Sequence, residues 1–73
     1  MAIKYIMTKD DGIVMFSGIL NHDEVAAKFG GATSAGFINL DGDDTKCYGE
    51  SISLNLKANE KDGDIAIRQL YYN

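Results

Sequence analysis

At 73 residues, with 45% apolar and 25% charged side chains, the chain has room for a single domain (1–73) and enough apolar material to fold it. Its net charge is −4 and its seven basic residues (Lys4, Lys9, Lys28, Lys46, Lys57, Lys61, Arg68) stand singly, whereas a phosphate backbone calls for clustered cations, so direct nucleic-acid binding is not expected. No run reaches the roughly 18 apolar residues of a membrane span, the start M-A-I-K-Y-I-M-T lacks a signal-peptide core, and the lone Cys47 has no internal disulfide partner, so a cytoplasmic protein away from membranes is expected.

Ile3 to Thr8 alternates as a short strand, and Lys9-Asp10-Asp11-Gly12 is a hairpin turn because glycine takes positive φ at little cost. The returning strand, from Ile13 to Ile19 or Leu20, is apolar on both faces and is expected at the centre of a sheet. Asn21 is placed to cap a helix from His22 or Asp23 to Phe29, which buries Val25, Ala26 and Phe29 and ends at Gly30. Gly31 to Ser34 is a small-residue connector. Ala35 to Leu40 is a third strand, and Asp41 to Thr45 a second acidic turn.

Lys46 to about Leu56 has a two-residue period, with Cys47, Gly49, Ser51, Ser53 and Asn55 on one face and Tyr48, Ile52, Leu54 and Leu56 on the other. It predicts one long strand, with a bulge or bend at Gly49. Beyond it, N-E-K-D from Asn59 has the spacing of a capping box with Asp62 at the third helical position, and Gly63, Ala66, Ile67, Leu70 and Tyr71 form a helical stripe. These signals predict a helix from Glu60 to Tyr71. The β-branched Ile65 and Ile67 support a rival, a last strand from Ile65 to Tyr72.

Strand, acidic turn, strand and capped helix thus occur twice. The expected fold is α+β: a small two-layer sandwich in which a four-stranded, mostly antiparallel sheet carries two helices on one face (ββαββα), with ββαβββ as the alternative. The expected core is Tyr5 or Ile6 with Val14, Phe16, Val25, Phe29, Phe37, Ile52, Leu54, Ile67 and Leu70.

Chemistry-bearing patterns are weak. Asp41-Gly42-Asp43-Asp44 lacks the later glycine and glutamate of a calcium loop, since Lys46 and Ile52 stand there. Gly30 to Gly36 follows a helix and enters a strand, the reverse of a phosphate cradle. His22 reads as a surface residue of a helix start, and Cys47 as a packed thiol with no base placed beside it. No catalytic, cofactor-binding or metal-ligating residue is assigned, and the chain is read as non-enzymatic.

The remaining signals concern binding. Gly49, Ser51 and Ser53 give a strand face that allows close approach, while Tyr71 and Tyr72 end the chain as amphipathic aromatics suited to an interface. The first functional reading is a regulator, inhibitor or accessory factor, of the kind carried by mobile elements such as phages and prophages, that binds an unidentified protein partner. A homodimer paired along the Cys47–Leu56 strand is the form of self-association it suggests. The second reading is an acidic mimic of nucleic acid that blocks a nuclease or a DNA-binding protein, and the third a small ligand-binding domain built around Cys47 or His22.

Overall fold

The computed structural model describes residues 2–72. β1 (Ile3–Met7) and β2 (Ile13–Ser17) form the first hairpin, in register from Ile3 opposite Ser17 to Met7 opposite Ile13. Its turn is fastened by Thr8, whose N–H and hydroxyl both donate to the Gly12 carbonyl, at 2.9 and 2.6 Å, while Gly12 takes φ +75°. β3 (Ser34–Asn39) pairs antiparallel with the other side of β1, and β4 (Lys46–Tyr48) with the outer side of β3. The order is β2-β1-β3-β4. The four-stranded antiparallel sheet and two helices of the expected α+β class are therefore present, but β1 is central and β2 lies at an edge.

The long strand expected from Lys46 to Leu56 is broken. At Gly49 φ turns to +75° and the chain leaves the β3 ladder. It then forms its own small hairpin of β5 (Glu50–Ser51) and β6 (Leu56–Lys57), joined by a turn over residues 52–55 in which Asn55 takes φ +54°. The alternation over these residues reflects two short strands and a turn, so Ile52 falls on the turn. The homodimer suggested by one long edge strand loses that basis.

The helices are α1 (His22–Lys28) and α2 (Glu60–Tyr71). Asn59 Oδ1 accepts from Lys61 N–H at 2.9 Å, and Asp62 Oδ2 accepts from Asn59 N–H at 3.2 Å, which is the reciprocal capping box expected of N-E-K-D. That start excludes a final strand. Asn21 stands at the N-cap of α1 with extended backbone, but its side chain turns to Glu24 and leaves the helix amides alone. Gly30, at φ +78°, ends α1 as expected, and the Gly31 N–H reaches back to the Ala26 carbonyl.

Strand side chains alternate between faces, so the packing partners show where each helix lies. Tyr5 and Met7 of β1, Ile13 of β2 and Ile38 of β3 pack with Ala66 of α2. Ile6 of β1 and Ala35 of β3, which point the other way, pack with Ala26 of α1 and with Leu54 and Leu56 of the small hairpin. The helices cover opposite faces of the sheet, so it has three layers where two were expected. This explains why β2 is apolar on both sides while lying at an edge. Tyr5 and Ile6 are both fully buried, one in each layer. Val14, Phe16, Val25, Phe37, Leu54 and Ile67 are half-buried, whereas Phe29, Ile52 and Leu70 of the expected core are exposed.

Two glycines set how closely the layers approach. A Cβ on Gly36 would lie 2.5 Å from the Tyr48 carbonyl oxygen, and one on Gly63 would lie 3.0 Å from that of Thr45. The missing side chains let the segment around Gly49 and the first turn of α2 lie against backbone, which a domain this small needs to bury its core.

Candidate functional site

A cleft of about 620 Å³ lies on the α1 face. It opens between the start of α1, which supplies Asn21 and His22, and the small hairpin with its approach, which supply Gly49, Glu50, Ile52 and Ser53; Lys4 and Phe37 line it from the sheet. The Lys4 ammonium donates to the Leu20 carbonyl at 2.8 Å, which ties it to the loop after β2. Phe37 stacks on Tyr48, with centroids 5.7 Å apart and planes 26° apart. Tyr48 is 51% exposed and Ile52 88% exposed, so large apolar groups stand in solvent beside the cleft.

His22 is only 5% exposed, which corrects its reading as a surface residue. Its Nε2 lies 2.8 Å from the Gly36 carbonyl oxygen, and its ring meets Phe16 and Phe37 edge to face at 5.5 and 5.9 Å. A donor toward a carbonyl requires a proton on Nε2. The imidazole therefore braces α1 against β3 and forms part of the cleft wall.

A second constellation lies in the α2 layer. Asp62, 3% exposed, accepts through Oδ2 from the Tyr5 hydroxyl at 2.6 Å, the Ser34 hydroxyl at 2.5 Å and the Asn59 N–H. Three donors on one carboxylate oxygen satisfy a group that would otherwise be costly to bury. Burial, together with the hydrogen bond it donates to Asp62, pushes the Tyr5 hydroxyl strongly up. Burial also pushes the Cys47 thiol up to about 11, with the Asp62 charge adding to the shift and a hydrogen bond with Tyr5 opposing it. A thiol so shifted is protonated near neutrality and a poor nucleophile. The arrangement is an anchor joining β1, β3 and α2, and the capping box had disclosed only the Asn59 part of it.

The five sequence-derived binding positions do not form one surface. Gly49 and Ser53 line the cleft. Ser51 is buried, and its hydroxyl accepts from the Leu54 N–H at 3.2 Å inside the hairpin turn. Tyr71 and Tyr72 lie exposed at the end of α2, in the opposite layer, where the Tyr72 hydroxyl donates to Asp43 Oδ1 at 2.7 Å. Lys4, Asn21, Phe37, Glu50 and Ile52 were not singled out as binding residues, whereas His22 was named as a possible centre of a ligand-binding domain and does line the cleft. Among the sequence signals, Gly49 carries the structural reason, since the bend expected there helps to form the cleft.

Among the described residues no group of three or more His, Cys, Asp or Glu could hold a metal ion, and no helix is long and apolar enough to cross a membrane. A hollow of about 440 Å³ does gather Asp43, Asp44, Glu60 and Asp64 around Lys46, acids that are far apart in the chain. No protein family matches this chain, nor does any curated protein or solved structure.

Proposed function

We propose that the chain acts by binding another protein through the cleft between α1 and the small hairpin, as a non-enzymatic regulator, inhibitor or accessory factor in a reducing cell interior. The observation that carries this reading is the exposed Ile52 in the lining of a mostly apolar cleft, with the exposed Tyr48 stacked on the lining Phe37. Large apolar groups held in solvent beside a concavity characterise anchor sites for a partner's side chain. Lys4 and Glu50 give the lining one cation and one anion. The partner suited to it is a segment with a bulky apolar side chain, with a basic neighbour toward Glu50 and an acidic one toward Lys4. The side chains that would serve chemistry are engaged in structure: Ser34 donates to Asp62, His22 meets the Gly36 carbonyl, and the Cys47 thiol is pushed up.

Selection of a displayed random-peptide library on the immobilised domain tests the reading. Peptides with an aromatic or branched aliphatic anchor should be enriched on the natural sequence, lost on Ile52→Asp and kept on Tyr71→Ala. No enrichment, or equal enrichment on Ile52→Asp, refutes it.

A second reading, the acidic mimic of nucleic acid, draws on the carboxylates of Asp43, Asp44, Glu60 and Asp64 around one hollow. It requires salt-sensitive binding to a DNA-binding protein that duplex DNA competes away. Asp43→Asn/Asp44→Asn should then weaken that binding while Ile52→Asp leaves it intact.

A further inference from the structure

The small hairpin holds a large apolar side chain at its tip, where a turn has no use for one. Ile52 begins the turn over residues 52–55, in which the Asn55 N–H donates to the Ile52 carbonyl at 3.2 Å and the Leu54 N–H to the Ser51 hydroxyl at 3.2 Å. Leu54 packs into the α1 layer, whereas Ile52, at 88%, is the most exposed large apolar side chain among the described residues. The neck of the hairpin is fastened by the Ala58 N–H, which donates to the Gly49 carbonyl at 3.0 Å. Ile52 is thus presented on a fixed frame, which lowers the ordering cost of inserting it into another surface.

The cleft beside it has the shape and charge to receive such a group. Gly49 and Ser53 bring little or no side chain to the lining, and the Phe37 ring supplies an apolar wall close to Gly49. Lys4 stands on the sheet side of the cleft and Glu50 on the hairpin side. The Lys4 ammonium gives one of its three hydrogens to the Leu20 carbonyl, which leaves two for an acceptor from outside. Glu50 is exposed and faces Lys57 across the β5–β6 ladder.

A patch that carries its own plug, one cation and one anion meets the condition for an isologous contact, in which residue i touches j and j touches i. We propose that the occupant of the cleft is the hairpin tip of a second copy of this chain. About a two-fold axis beside Ile52, each Ile52 enters the other copy's cleft and each Lys4 meets the other copy's Glu50. The contact joins side chains and needs no strand edge. It rests on the reading of the cleft as an anchor site and names the copy as its occupant, so the dimer withholds the cleft from any other partner. The eight lining residues are few beside the roughly 20–30 a side of a standard interface, so the dimer forms at high concentration and dissociates on dilution.

Sedimentation equilibrium from about 10 μM to about 1 mM tests the assignment, with circular dichroism showing that each variant is folded. The natural sequence should pass from the monomer mass of 8.0 kDa toward twice that value. Ile52→Asp should stay monomeric throughout, as should Lys4→Glu and Glu50→Lys, in which both pairs across the axis become like charges. Mixing Lys4→Glu with Glu50→Lys restores both pairs in a mixed dimer, so the mixture should associate like the natural sequence. Mixing repairs neither a lost bond to Leu20 nor a hairpin weakened opposite Lys57, so recovery reports the contact itself. Should Lys4→Glu fail to fold, Lys4→Gln replaces it, and the mixture then recovers one pair of the two. A natural sequence that is monomeric at the highest concentration, association that survives Ile52→Asp, or a mixture that does not recover overturns the proposal. The first of these, with peptides still enriched on the natural sequence and lost on Ile52→Asp, overturns the copy alone and leaves the cleft's reading standing. A dimer that Ile52→Asp abolishes, without any peptide enrichment, refutes the foreign partner and upholds the copy.

Discussion

Replacing Asp62 by alanine removes the acceptor shared by Tyr5, Ser34 and Asn59. Two hydroxyls are then left in the buried layer, each costing about 1–3 kcal/mol if unsatisfied, and loss of the box on Asn59 adds about 0.5–2 kcal/mol. Against this, the variant no longer desolvates a carboxylate, which offsets part of the loss. The net expectation is a destabilisation of about 3 kcal/mol. A chain of this length has roughly 4–11 kcal/mol in all, so the variant gives up a large share of it. Urea unfolding followed by circular dichroism measures it; with a slope of about 1 kcal/mol per molar, the midpoint should fall by about 3 M. The same anchor predicts non-additivity. Tyr5→Phe should cost about 1 kcal/mol in the natural sequence and nothing, or less than nothing, in the Asp62→Ala background, where it removes an orphaned hydroxyl. A midpoint for Asp62→Ala within about 0.5 M of the parent, or additive losses in the double variant, would show that the three hydrogen bonds do not hold the layers together.

Three further outcomes follow from the same structure. The folded Cys47 thiol is raised from 9.0 to about 11, so its contribution is whole below pH 9 and is lost as pH rises toward about 11, with Tyr5 adding loss above its ordinary value of 10.0; urea midpoints should decline over this window, and an equally steep decline in Cys47→Ala would refute the assignment. Gly49→Ala forces a side chain to φ +75° with its Cβ 3.1 Å from the Phe37 ring, and should cost about 1–2 kcal/mol; an unchanged melting temperature would mean the bend does not depend on glycine. Asn59→Ala should cost about 1 kcal/mol by removing the cap on Lys61, measured by the same unfolding assay, and a neutral result would show that Asp62 alone starts the helix.

Features whose causes lie within a few residues were legible from the order of amino acids alone. The Asp-Gly hairpin, the end of α1 at Gly30 and the start of α2 at Asn59 each follow from local φ preference or from a side chain bonding backbone two or three residues away. The antiparallel sheet followed from strands joined by short turns. The remaining features arise from packing between distant segments. The I-V-M-F run shows that both faces of β2 are covered but not whether neighbouring strands or opposed helices make a site apolar, so an edge strand between two layers read as a central one. Gly49 disclosed a bend, but the packing around it, with the Phe37 ring against Gly49 and the Tyr48 carbonyl against Gly36, is made by residues that meet only in the fold; once the chain turned there, Ile52 passed from core to solvent. His22 and Gly36, or Asp62, Tyr5 and Ser34, are 14 to 57 residues apart, and no periodicity links them. Hydrogen bonds at that separation exist only after the layers pack, because hydrophobic burial is what brings the donors within reach of their acceptors and makes an unpaired one costly.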